Sequence, residues 1–396
     1  MKKVFYVFIC LFILLSNPIY YSQSIVLAET DSAIEVEQEL EEEIDKQLSN
    51  LDTSKLDEAF ADILGDSELF VGDNFTSNLK GIISGDIDIN AGSFLSYIGN
   101  MFLGEALAFL PCVCLIVAVA VLYGMVSGVH EYKGKDISNI IHFACFGVIV
   151  VIVLANLTNI IGNISATLGS IKNQMDIIFP LLLTMLTALG SLSSVNIYQP
   201  AMAVLSGSII SIFVNILLPI FTFKLVFTII ANLSSGIKFS KFSDFFGALY
   251  KWIIGIVLTI FSAFVSIQGL MAGSIDGVSI RTAKYTIKSG IPIIGGFLSD
   301  GVSLIMLSSS LIKNALGMGG LLLMFSTILL PVIQIIAFSL LLKLASAILE
   351  PIADSKITGF ISEISKSIAL IVAIILGVAF MYFILVGLVM CSVNIS

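Results

Sequence analysis

Residues 201–233 read AMAVLSGSIISIFVNILLPIFTFKLVFTIIANL, an apolar run in which Lys224 is the one charged side chain. About 20 such residues in a helix cross the hydrocarbon of a bilayer. The same reading recurs at 106–126, 140–161, 177–192, 252–272, 291–312, 316–348 and 368–393. Hydrophobic residues make up 57% of the 396 and charged residues 12%, more apolar surface than a soluble core of this length buries, so the surplus faces lipid. The pattern predicts an all-α integral membrane protein, a polytopic helical bundle of about six to eight spans. The segments beginning at Ile177 and Ile291 are interrupted by Pro180 and by Gly295, Gly296, Asp300 and Ser303, and read as broken or re-entrant.

The charges sit apart from these spans. Residues 29–88 hold 18 of the 28 acidic residues against Lys46, Lys55 and Lys80, so the formal net charge of -9 belongs to one short head. From residue 91 onward the balance is mildly basic, as expected of membrane helices with basic loops. Ahead of the head, Lys2 and Lys3, the apolar run 4–15 and Val26-Leu27-Ala28 form a secretory signal that ends near residue 28, which places the head outside the cytoplasm. The head contains no cysteine, so no disulfide framework is expected there. Its Leu40, Ile44, Leu48 and Leu51 fall on one helical face, and Leu56, Phe60, Ile63 and Leu64 on a second. An amphipathic helix needs a cover for its apolar face, either its own neighbours or a partner protein. Ile44, Leu48, Leu51 and Phe60 are the expected docking residues for such a partner.

An internal repeat runs through the membrane part. Residues 215–219 (NILLP) and 327–331 (TILLP) correspond at an offset of 112, which also carries Lys172 onto Lys284, Pro180 onto Pro292 and Gly207 onto Gly319. Beyond the long span the offset becomes 115 and matches Ser240-Lys241 with Ser355-Lys356, and Lys251 with Lys366; Pro111 opens a truncated first copy. The chain thus divides into a signal (1–28), an acidic helical head (29–100), a first membrane hairpin (101–162) and two repeats (163–274 and 275–396). Three crossings per unit would make the copies inverted and two would make them parallel. The lysines and arginines of the loops favour neither.

Catalytic parts are missing. The sequence has no HExxH, no GxxxxGK[ST] and no GxSxG, and His130 and His142 are its two histidines. Cys112 and Cys114 lack CxxC spacing, and no second pair follows. No enzyme activity, cofactor, metal or nucleic-acid partner is expected. Ionisable residues among apolar spans carry more information, since each costs about 2.5–3.5 kcal/mol at the bilayer centre unless paired or hydrated. Asp276, Arg281, Lys284, Asp300 and Lys313 are concentrated around the most polar span and are expected to form a polar seam of the membrane domain.

The stretch 273–284 (GSIDGVSIRTAK), followed by 291–296 (IPIIGG) and 311–315 (LIKNA), resembles the signature region of the stage III sporulation protein AE family. The signal, the acidic head, the length and the order of spans agree with that family. The resemblance implies a membrane component of the channel complex linking mother cell and forespore in endospore formation, in a scaffold or pore role. Its partners would be the other membrane proteins of the stage III operon A and their forespore counterpart, in the mother-cell membrane around the forespore. The family has no catalytic residues to carry over. A duplicated plan of broken spans also fits an autonomous secondary transporter.

Overall fold

The computed structural model describes the backbone of residues 31–49, 57–58, 75–84, 91–130, 135–233, 239–290 and 295–392, and the side chains of these except 31–37, 91–94, 127–130, 135–139, 269–290 and 295–300. Among the described residues every regular element is a helix. Two belong to the head, α1 (Asp31–Ser49) and α2 (Phe75–Ser84). Six follow: α3 (Ala91–His130), α4 (Lys135–Ala188), α5 (Leu192–Leu233), α6 (Ser240–Gly290), α7 (Gly295–Leu349) and α8 (Ser355–Cys391). All six are long and apolar enough to cross a membrane, which establishes the expected all-α polytopic fold. The signal, Leu51 and Phe60 lie outside the described residues.

The eight apolar runs become six helices because two pairs fuse. Runs 140–161 and 177–192 belong mainly to α4, and runs 291–312 and 316–348 to α7, so the expected broken or re-entrant spans are instead the ends of continuous helices. The buried stripe explains the fusion. In α4 it passes through Val153, Leu157, Ile160, Ile164, Leu168, Ile171, Met175, Ile178 and Leu182 at steps of three and four, without a break at the polar residues between the runs. Pro180 forfeits one backbone bond, but the stripe on either side of it holds the helix in line. The real stop comes at Gly190, whose φ of 74° suits only glycine without strain. There the amide of Gly190 donates to the Thr187 carbonyl and that of Ser191 to the Leu186 carbonyl, a Schellman turn that sends the chain into α5.

The contacts along the helices give the topology. Tyr250 on α6 donates its hydroxyl to the Leu370 carbonyl on α8, and further along Leu258 meets Gly377, so α6 and α8 run in the same direction. Phe109 packs on Phe338, and Tyr123 reaches Asp354, so α3 and α7 run together in the other direction. The chain passes up and down as three hairpins, α3–α4, α5–α6 and α7–α8, whose joined ends lie on one side. The two matching units are therefore parallel, and the hairpin carrying Pro111 is as complete as those carrying Pro219 and Pro331. The expected unit borders at 162/163 and 274/275 fall inside α4 and α6.

The interior belongs to α8. In its most apolar stretch 67% of residues are buried, against 22% in α3, α4 and α6. It is wrapped by α7, α5, α6 and the oblique α4, which takes the stretch from Phe146 to Phe179 to match the shorter one from Phe360 to Tyr382 on α8. In α5 two π-helical segments, Val204–Ile209 and Phe213–Leu217, widen the helix beside this core.

Candidate functional site

The head is not free of the bundle. On α1 the stripe Ile44 and Leu48 is 7% and 4% exposed, joined in one core with Phe75 and Leu79 of α2. Both head helices lie on the end of α7 opposite its junction with α8. Gln47 donates to Ser308 Oγ at 2.9 Å and accepts from Ser309 Oγ at 2.9 Å, so its amide bridges two buried hydroxyls, of which that of Ser308 also donates to the carbonyls of its own helix. The Phe75 ring stands against Gly319, where an added Cβ would lie 3.0 Å from it. Lys80 and Asp45, 2.7 Å apart and exposed, tie α2 to α1 at the rim. Two of the four expected docking residues, Ile44 and Leu48, are thus covered by the chain itself. The outward face of α1 presents Glu39, Glu41, Glu42 and Asp45.

Beneath the head, α7 presents a polar and small-residue strip: Ser308, Ser309, Ser310, Lys313, Asn314, Gly317, Gly319 and Gly320. Lys313 is fully buried, and its ammonium donates to the carbonyls of Met390 at 3.1 Å and Ser392 at 2.5 Å. Those oxygens belong to the last turn of α8 and its cap, where helix carbonyls lack amide partners and the helix dipole favours a cation. Among the described residues no carboxylate pairs with it. Gly317 makes room for this arrangement, since a Cβ there would lie 2.5 Å from the Met390 side chain. Lower on the strip, Gln174 of α4 donates to Thr327 Oγ1 at 2.6 Å.

Of the five residues expected to share a seam, Lys313 alone has a described side chain. Asp276, Arg281 and Lys284 lie on the far part of α6, and Asp300 near the start of α7, so the topology brings all five to the head end of the bundle. The length of α7 sets their level. Its 55 residues extend about 80 Å, against about 30 Å of hydrocarbon. From Leu349 at the hairpin end, Thr327 is already about one hydrocarbon thickness away. At that level α4 carries the exposed ion pair Lys172–Asp176, at 2.6 Å. The strip from Ser308 to Gly320 occupies the half of α7 nearer the head helices.

A second polar junction, which the sequence hinted at only through Lys224, joins α5, α6 and α8. Lys224 Nζ donates to Ser367 Oγ, and the carboxylates of Glu363 and Asp244 attract it. Its stem lies over Gly247, and Asn232 donates to Glu363. Beside it Thr228 and Ser243 share a buried hydrogen bond at 2.7 Å. Serine and threonine partners of this kind carry no periodic signal in an apolar run, which is why they escape a reading by hydropathy. Neither junction pairs a nucleophile with a base, and no group of three metal-ligating side chains occurs among the described residues.

Six bundle-forming helices in parallel hairpins, with two shorter helices clasped to one end, define a polytopic membrane protein. The stage III sporulation protein AE family model matches residues 74–393, and the chain belongs to that family. It is 22% identical to the stage III sporulation protein AE of Bacillus subtilis (strain 168) over 371 residues, which cover 93% of this chain and 92% of the relative. No solved structure matches it.

Proposed function

We propose that this chain is a membrane component of the channel complex that links mother cell and forespore, where it acts as a scaffold or as one wall of a pore assembled from several subunits. Membership of a stage III sporulation family supports the process. The burial of α8 carries the choice of role. The axis of the bundle is filled by an apolar helix whose side chains from Ile357 to Val389 are largely inaccessible, so a passage would have to lie between chains rather than through one. The surface grooves point the same way, being open and apolar, one between α4 and α5 at Gly162, Val214 and Pro219 and one on α6 at Trp252 and Gly255.

The orientation belongs to the same proposal. The hairpin end carries Lys133, Lys135, Lys238, Lys241 and Lys356 and faces the mother-cell cytoplasm; the acidic head end faces the space between the two membranes. There the outward carboxylates of α1 steer a basic surface of a partner, another stage III operon A protein or its forespore counterpart. The chain performs no catalysis of its own and holds no cofactor. Reconstitution tests the role: purified chain alone in liposomes should pass no small solutes, and deletion of its gene should prevent recovery of the other channel proteins as one complex. Flux through the chain alone would instead establish the autonomous transporter.

A further inference from the structure

The charged residues of three helices stop at one level. Residues 252–275 of α6 carry no charge between Lys251 and Asp276, about 36 Å of helix and enough to cross the hydrocarbon. On α8 the last charge is Lys366, the counterpart of Lys251 in the repeat, and on α5 no charge lies between residue 192 and Lys224. Contacts hold the three helices in register: Lys224 donates to Ser367, and Tyr250 donates to the Leu370 carbonyl. Lys251 therefore stands where the hydrocarbon begins, on the side where the hairpins are joined.

From Lys251 a shallow groove runs along the outer face of α6. Trp252, Gly255, Ile256, Thr259 and Ile260 line it, all of them exposed. Gly255 makes the dent, with nothing within 4 Å of an added Cβ. Thr259 donates its hydroxyl to the Gly255 carbonyl at 2.7 Å, so the floor keeps no free donor for a polar occupant. An apolar chain suits it. On α8 the corresponding Ser367, Ile374 and Ile375 are buried by the chain itself, whereas the face of α6 is open. The upper end of the groove is positive. The nearby carboxylates, Asp244 and Glu363, attract Lys224, and among the described residues no carboxylate pairs with the exposed Lys251 or Lys366. A free ammonium and an indole N–H above an apolar groove, at the level of the headgroups, match a negatively charged headgroup carrying an acyl chain. We propose that this groove seats an anionic phospholipid of the leaflet on the joined side, its phosphate on Lys251 and an acyl chain along Gly255 and Thr259. The site belongs to the single chain and holds whatever complex the chain joins.

Trp252, the one tryptophan of the sequence, reports on its own site. The full chain is reconstituted in phosphatidylcholine vesicles, and its fluorescence is read as brominated phosphatidylglycerol or brominated phosphatidylcholine replaces part of the lipid. One lysine near a membrane surface favours an anionic lipid about fivefold, so phosphatidylglycerol should quench Trp252 with an association constant about fivefold that of phosphatidylcholine. Lys251→Gln should abolish the preference and Lys251→Arg should keep it. Gly255→Leu, which fills the dent, should weaken it. Equal quenching by the two lipids in the parent overturns the site, as does a preference that survives Lys251→Gln. A preference untouched by Gly255→Leu overturns the groove as the seat of the acyl chain. Absence of quenching by either lipid shows the face covered by protein, a second copy of the chain included, and overturns the proposal as well.

Discussion

The hairpins α5–α6 and α7–α8 follow one sequence plan in one orientation, yet they occupy opposite positions in the molecule. In α8 two thirds of the apolar stretch is buried; in α6 it is about a fifth, and Trp252 is 71% exposed. Gly207 of α5 has nothing within 4 Å of an added Cβ, while its counterpart Gly319 of α7 holds the ring of Phe75. Ser208 is exposed, and its counterpart Gly320 is wedged against Tyr382 and Ile178. Ala201 and its counterpart Lys313 are both fully buried, but Lys313 holds the end of α8 by its carbonyls. Apolar pattern decides that a hairpin forms in a membrane. Small and polar residues decide whether it goes to the centre, where helices approach closely, or to the lipid.

The largest effect expected from this contrast is at Lys313. Lys313→Glu would set a carboxylate against two carbonyl oxygens in a buried site, a mismatch of about 3–5 kcal/mol, and the protein should fail to accumulate in the membrane. Lys224→Gln, in the peripheral hairpin, loses one hydrogen bond to Ser367 beside the exposed Glu363 and should leave accumulation unchanged on immunoblots. Equal loss from both would mean that the two hairpins are equally critical and that their difference in burial carries no weight.

A step down in size are the glycines. Gly320→Leu would put a Cβ 2.8 Å from the Tyr382 hydroxyl and 2.9 Å from Ile178 Cδ1, with the rest of the side chain still to be placed. Overpacking of that kind costs about 1–3 kcal/mol and should lower the midpoint of thermal unfolding in detergent. Gly207→Leu at the open counterpart should shift that midpoint little or raise it slightly, because leucine is the better helix former. A similar fall in both variants would contradict the assignment of the two strips to covered and open faces.

These contrasts also show where sequence was legible. The spans, the helical head and the amphipathic stripe of Leu40, Ile44 and Leu48 followed from period and composition, which are local. Hydropathy split α4 at the polar segment around Lys172 and α7 at the pair Lys313-Asn314. The unbroken stripe of Ile164, Leu168 and Ile171 was the signal that they stay helical. What covers Ile44 and Leu48 was not readable, since the cover is α7, more than 250 residues away in the chain. The contacts of Gln174 with Thr327 and of Tyr382 with Gly320 depend likewise on which helices meet. The parallel order of the hairpins came from contacts such as Tyr250 with Leu370, which no count of loop lysines could supply.

The smallest effect is the sharpest in sign. Tyr250 and Tyr382 are both large, fully buried phenols at junctions with α8 or within it, and removing the hydroxyl from each changes volume by one atom. The Tyr250 hydroxyl donates to the Leu370 carbonyl at 2.8 Å, bridging α6 of the peripheral hairpin to α8. Tyr250→Phe should therefore cost about 1 kcal/mol, the net worth of one hydrogen bond, and somewhat more if the carbonyl is left bare. Among the described residues the Tyr382 hydroxyl has no hydrogen-bond partner, so its burial is a cost that Tyr382→Phe removes. That variant should be as stable as the parent or more so by about 1 kcal/mol, measured as the denaturant or thermal midpoint of the solubilised protein. If instead Tyr382→Phe is the more damaging of the two, the hydroxyl is already bonded in the resting protein. The contact of α8 with Gly320 of α7 would then hold a hydrogen bond at Tyr382 as the contact with α6 does at Tyr250.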